Sequence, residues 1–134
     1  MLGDQLGEEI GQITGTRVLP GANGPVVEVS FQSNGTLCGV RETNMGTYLT
    51  MTRPDGTLSG EGQGIVMTDD GETAAWKGHG VGRFTGHGPA VSWRGAVHYE
   101  TTSPRLARLT GVAGIFEYET DASGKDTSKI YEWK

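Results

Sequence analysis

The chain of 134 residues has room for one domain with a single core, and its 11 basic and 16 acidic residues leave a formal charge of −5. The basic residues form no run, which disfavours nucleic-acid binding by phosphate neutralisation. One cysteine, Cys38, excludes an intramolecular disulfide and a cysteine-based zinc site. Glycine accounts for 23 residues, twice or more the ordinary ~7% share, but without a period, so a collagen-like chain is excluded. The start, MLGDQLGEEIG, lacks the charged and apolar regions of a signal peptide, and no apolar stretch approaches the ~18 residues of a spanning helix. A cytoplasmic protein is expected.

Residues 1–8 read as a loose N-terminus. Glu9 to Leu19 reads as a strand with glycines, followed by a Pro20–Pro25 loop. Val26 to Ser33 alternates strongly. Asn34-Gly35 then fits a two-residue hairpin turn, with residues 36–43 as the return strand. Asn44-Met45-Gly46 reads as a further turn, and Thr47 to Arg53, residues 58–68 and the two arms around His87 continue the pattern, divided by Asp55-Gly56 and Asp70-Gly71 turns. Ser103 to Gly111 is the one helical piece, with Ser103 as N-cap, Pro104 in the first turn and Leu106 and Leu109 facing inward. Val112 to Thr120 and Ser128 to Trp133 close the chain. This is an all-β domain over residues 1–134, an antiparallel up-and-down meander of eight or nine strands. Closure into a barrel removes the edge strands, so a barrel is expected, with a two-sheet sandwich as the alternative.

The hairpin from Trp76 to Glu100 carries the functional signal. Alternation places Trp76, Gly78, Gly80, Gly82 and Phe84 on one face of the first arm and Val91, Trp93, Gly95, Val97 and Tyr99 on one face of the second. Pairing about His87 sets Gly82 opposite Trp93. Glycines in strand interiors each cost roughly 0.5–1 kcal/mol, so four in one hairpin need a cause. Tight curvature is the expected cause, and an open hollow is compatible with it.

Two-residue turns at Asp55-Gly56 and Asp70-Gly71 set Tyr48 opposite Gln63, Gln63 opposite Gly78 and Glu61 opposite Gly80. The resulting face carries Tyr48, Glu61, Gln63, Ile65, Met67, Trp76, Trp93, Val97 and Tyr99, with Phe116 and Tyr118 joining it. Aromatic walls with a few polar groups are the usual make-up of a small-molecule site. Glu61 beside indoles would be a candidate acid or base, with Gln63, Tyr48 or Glu42 orienting a substrate. The bland alternative leaves Glu61 in water at the barrel mouth. The opposite face carries Leu49, Met51, Val66, Val81, Ala96 and Ile115 among charges, and a homo-oligomer contact is expected there. If that face were the inner one, the site would be His79, Arg94, His98 and Glu117.

His79, His98 and Glu117 have the residue types of a two-histidine, one-carboxylate metal site, but the spacing is not diagnostic and cross-strand charge pairing is the ordinary reading. No metal is expected. Cys38 is read as a core thiol facing Phe31. The glycines match no dinucleotide fingerprint and lie on strands, so no cofactor is expected.

Trp93-Arg94-Gly95, Ser103-Pro104-Arg105-Leu106-Ala107-Arg108-Leu109 and Phe116-Glu117-Tyr118-Glu119 resemble segments of a family of small, uncharacterised bacterial proteins. That family is similar to the eight-stranded barrels of allene oxide cyclase and dirigent-type proteins. The resemblance covers roughly the last 60 residues. It implies an antiparallel barrel, frequent oligomers and a lumen able to hold a small hydrophobic molecule. No catalytic residue of the cyclases falls on a matching motif. The function expected is small-ligand binding through Tyr48, Gln63, Trp76, Trp93, Tyr99 and Phe116. An isomerase or cyclase using Glu61 and a structural oligomeric module are the alternatives.

Overall fold

The computed structural model describes residues 1–134 as a closed barrel of eight antiparallel strands in chain order. The strands are β1 (Leu2–Leu19), β2 (Val26–Leu37), β3 (Val40–Thr52), β4 (Leu58–Thr68), β5 (Thr73–Phe84), β6 (Val91–Thr101), β7 (Ala113–Thr120) and β8 (Lys125–Trp133). A 3₁₀ helix, Pro104–Leu109, follows β6. The barrel closes where β1 pairs with β8, so no sheet edge is left open and the sandwich alternative falls away. No helix is long and apolar enough to cross a membrane.

Residues 1–8 are not loose. β1 begins at Leu2, pairs with β8 from Trp133 inward, and buries Leu6. One long strand serves two neighbours and is bent by register shifts, including one at Gly15.

The turns correct three expectations. The two-residue turn of the β2–β3 hairpin is Cys38-Gly39, both at positive φ (53° and 75°), with Leu37 opposite Val40. Asn34-Gly35 lies inside β2. A Cβ on Gly35 would fall 1.9 Å from the Glu8 carbonyl oxygen, so close approach of β1 explains this glycine. Cys38 is therefore a half-buried turn residue, and Phe31 lies opposite Gly46.

The Asp55-Gly56 and Asp70-Gly71 reversals carry one residue more than expected. Thr52 faces Leu58, and the Arg53 N–H donates to the Thr57 carbonyl at 2.8 Å around a loop ending at Gly56 (φ 86°). Asp55 holds this loop by accepting from the Thr57 N–H and hydroxyl. The Thr68–Glu72 loop with Gly71 (φ 88°) repeats the backbone pattern, with the Thr68 hydroxyl accepting from the Glu72 N–H at 2.9 Å. Each extra residue shifts the register by one and turns a strand over. Glu61, Gln63, Ile65 and Met67 therefore face outward, while Leu58, Gly60, Gly62, Gly64 and Val66 face the lumen. Between β5 and β6 the expected register holds, with Gly82 opposite Trp93.

The helical piece is shorter than expected and 3₁₀ in kind. Leu106 and Leu109 are fully buried as expected, but Ser103 makes no cap and donates its hydroxyl to Glu72 at 2.7 Å. Leu106 and Leu109 join Leu6, Leu37, Val40, Val66, Ala74, Val97 and Ile130 in an apolar layer at one end of the barrel. Leu58, Val91, Trp93 and Tyr118 form a smaller layer nearer the other.

Candidate functional site

Between these layers lies a hollow of about 90 Å³. Phe31, Tyr48, Trp76, Trp93, Tyr99, Phe116 and Tyr118 wall it, with the bare backbone of Gly60, Gly62, Gly78 and Gly80 on the β4–β5 side. Ring pairs tie the wall together: Tyr118 lies 5.5 Å from Phe31, Trp93 5.8 Å from Tyr48, and Trp76 6.1 Å from Phe31. These centroid separations lie in the favourable range for tilted and edge-on aromatic pairs.

Most of the inward glycines are seats for rings. A Cβ on Gly64 would lie 2.5 Å from the Trp76 indole, on Gly60 2.7 Å from Trp93, and on Gly95 2.7 Å from Phe116. Close approach of rings to backbone thus accounts for them better than curvature does. Gly78 differs: its missing Cβ would meet nothing nearer than 3.4 Å. At that position the lumen has room for one methyl group, in ordinary contact with Trp76 and Phe116.

The polar part of the site comes from β1, β2, β3 and β8. Inward positions on these strands hold Glu9, Ser33, Glu42, Asn44, Asp126 and Ser128, all buried. Register explains their convergence. Glu9 and Glu42 both lie opposite Gly35, which separates them without a side chain of its own. Asp126 lies opposite Gly11, which lies opposite Ser33, which lies opposite Asn44.

Two networks result. The Trp76 indole N–H donates to Asn44 Oδ1 at 2.7 Å, and the Asn44 amide donates to Glu9 Oε1 at 3.1 Å. The Ser33 hydroxyl donates to Asp126 Oδ1 at 3.0 Å, and the Tyr118 hydroxyl to Asp126 Oδ2 at 2.8 Å. Glu42 is only 6% exposed, and neither of its oxygens receives a hydrogen bond from a neutral or cationic donor. Burial first, and then the neighbouring Glu9, push its carboxyl up to about 9. Glu9 is also raised, chiefly by burial, against the opposing hydrogen bonds from Glu42 and Asn44. Glu42 therefore keeps its proton at neutral pH beside the Glu9 carboxyl. Burial likewise raises Asp126, Tyr99 and Tyr118, and lifts Tyr48 to about 12.

Tyr48, Trp76, Trp93, Tyr99 and Phe116 thus come together around the hollow, as the sequence suggests. Gln63 does not join them, and Glu61 borders the hollow together with His79 only from positions that face outward. Glu61 and Gln63 are both exposed, with Glu61 opposite His79 and Gln63 opposite Lys77, and the Gln63 amide donates to the Thr47 carbonyl at 3.2 Å. The reason proposed for Glu61 as a lumen acid or base is gone. Val66, expected outside, is fully buried inside. His79, His98 and Glu117 are all outward and form no metal-ligand group. Arg94 instead pairs with Glu119 at 2.8 Å and Glu117 at 3.7 Å. Sequence reasoning missed Glu9, Asn44 and Asp126. The turn expected at Asn44-Met45-Gly46 is absent, since β3 runs unbroken from Val40 to Thr52 and is paired on both sides, and counting back in twos from Tyr48 along it reaches Asn44 and Glu42.

No family model and no curated protein sequence matches the chain. Solved structures do. A protein of unknown function from Clostridium acetobutylicum ATCC 824 superposes with a TM-score of 0.82 at 14% identity, over 98% of this chain and 97% of that one. A conserved protein of unknown function from Rhodopseudomonas palustris gives 0.81 at 13% identity, over 98% and 97%. A beta-barrel like protein from Acinetobacter baumannii AYE gives 0.82 at 12% identity, over 100% and 96%. Its structural neighbours are thus small bacterial β-barrel proteins of unknown function. At these identities the likeness speaks for the fold alone.

Proposed function

We propose that the barrel binds a compact small molecule, largely apolar, in its lumen. The observation that carries this reading is the hollow itself, walled by Tyr48, Trp76, Trp93, Tyr99 and Phe116 and left unfilled beside Gly78. A hollow of about 90 Å³ is smaller than the ~150 Å³ at which engineered apolar cavities take up benzene, so the ligand is smaller than benzene unless the rings move. Xenon under pressure is a suitable probe. The Trp76 and Trp93 indole N–H resonances should shift saturably in the native chain and stay still in Gly78→Val, whose side chain fills the space. Equal shifts in both proteins, or none in either, would end this reading.

A second reading, an isomerase or cyclase that moves a proton with a lumen glutamate, draws support from the buried Glu9–Glu42 pair, in which Glu42 keeps a proton at neutral pH. In that reading Glu9, which borders the hollow, takes the role first expected of Glu61. The affinity to allene oxide cyclase and dirigent-type barrels belongs with this proposal. It draws support from the shared eight-stranded architecture and the C-terminal motifs. A cytoplasmic location and a homo-oligomer complete the proposal. The exposed Met45–Ile65 cross-strand pair beside Met67 supports an oligomer, which sedimentation would test.

A further inference from the structure

The charges of this molecule are sorted by side of the wall. Every lysine, arginine and histidine is exposed. Glu9, Glu42 and Asp126 are buried inside, at 4%, 6% and 2% exposure. None of the three takes part in an ion pair; all the ion pairs are made on the outside by Arg17, Arg94, Arg105, Arg108 and Lys134. Asp126 is satisfied by two hydroxyl donors, but the Glu9–Glu42 pair has only the Asn44 amide. Glu42 receives nothing from any group except Glu9. Buried charge in proteins is normally paired with charge of opposite sign. Here the pair borders, through Glu9, the one hollow walled by aromatic faces.

We propose that the lumen is built for a small protonated amine, with its ammonium group on Glu9, backed by Glu42, and its apolar body among Trp76, Tyr99 and Phe116. This rests on the lumen-binding reading and specifies its ligand class. The ammonium supplies the missing counter-charge, and the ring faces that limit the hollow favour a cation over an anion. An anion would meet the Glu9 carboxyl, with Glu42 behind it, and no buried basic side chain. A divalent metal lacks a third acidic or histidine ligand beside the pair. The groups facing Glu9 are Glu42 on β3, Asp126 on β8, Tyr99 on β6, Asn44 on β3 and, through Glu42, nothing basic. Binding therefore weakens as pH falls and Glu9 takes up its own proton.

The test uses three probes smaller than benzene, ethylamine, ethanol and acetate, titrated at pH 7 and constant salt into the native chain, Glu9→Gln and Gly78→Val. Indole N–H shifts report binding, and far-ultraviolet circular dichroism reports folding. The amine should bind at least tenfold tighter than the alcohol, the carboxylate should not bind, and both substitutions should weaken the amine at least tenfold. If Glu9→Gln fails to fold, the pH series on the native chain replaces it, with at least a tenfold loss expected as Glu9 is protonated. Alcohol binding equal to that of the amine overturns the charge inference and leaves lumen binding standing. Failure of all three probes sinks both. Amine binding untouched by Glu9→Gln, or insensitive to pH, reduces it to adsorption on an acidic surface. An equal response to potassium or ammonium chloride makes the site one for an inorganic cation and overturns the amine assignment.

Discussion

The two halves of the barrel interior solve opposite packing problems. On β4, β5 and β6 the inward positions include Gly60, Gly62, Gly64, Gly78, Gly80, Gly82 and Gly95, and large rings lie against the exposed backbone. On β1, β2, β3 and β8 the inward positions hold acids, an amide and hydroxyls, which must find one another because water is excluded. The first half depends on shape. The second depends on hydrogen bonds and a retained proton. Trp76 joins them, with its ring seated on Gly46 and Gly64 and its indole N–H on Asn44. A hollow survives where the two halves meet, because the rings are rigid and the polar groups are already committed to partners.

The comparison breaks most sharply on the glycine side. Gly95→Ala puts a Cβ 2.2 Å from the His79 carbonyl oxygen and 2.7 Å from the Phe116 ring, and backbone on a paired strand cannot give way. A loss of about 3 kcal/mol in urea unfolding is expected, the upper end of the overpacking range. A loss below about 0.5 kcal/mol would show that the rings are not seated on the backbone.

The acid side responds to pH instead. The Glu42 carboxyl is raised from 4.5 to about 9, so the folded chain holds a proton that the unfolded chain releases in this window. The stability it contributes is complete below pH 4.5 and is lost as pH rises toward 9. Glu42→Gln removes the titration. It should match the native chain near pH 4 and exceed it at pH 8 by on the order of 2 kcal/mol. The same difference at both pH values would show that Glu42 keeps its ordinary titration.

The smallest effect sharpens the contrast between inside and outside. Glu61→Gln, on an exposed outward position, should change stability by less than about 0.5 kcal/mol at every pH. A larger change would place its carboxylate among the buried acids.

The strand pattern, and with it the closed meander, is legible in the sequence because alternation and turn residues repeat along nearly the whole chain. The aromatic wall is legible for the same reason. Register was harder. Asp-Gly reads as a two-residue turn, yet Asp55 favours a longer loop by accepting from the Thr57 N–H and hydroxyl, and Thr68 does so before Asp70-Gly71 by accepting from the Glu72 N–H. The one-residue error at Asp55 inverted β4, and the same error at Asp70 righted β5. Trp76 was thus assigned to the correct face, while Glu61 and Gln63 were not. Asn34-Gly35 misled because its glycine answers to a neighbouring strand rather than to a turn. The buried acids were hidden because a lone glutamate in an alternating strand ordinarily marks the wet face.

The seam of the cylinder has a thermodynamic consequence. Glu9 comes from the first strand and Asp126 from the last, and only the pairing of β1 with β8 brings them under one roof. Without the nine-residue β8 in place, the side of the lumen that holds these carboxylates is open to water. Closing the seam strips that hydration and draws protons from solvent, since burial raises Glu9, Glu42 and Asp126 together. Folding of the barrel is thereby also an acid–base reaction, and the pairing of its first and last strands takes part in it.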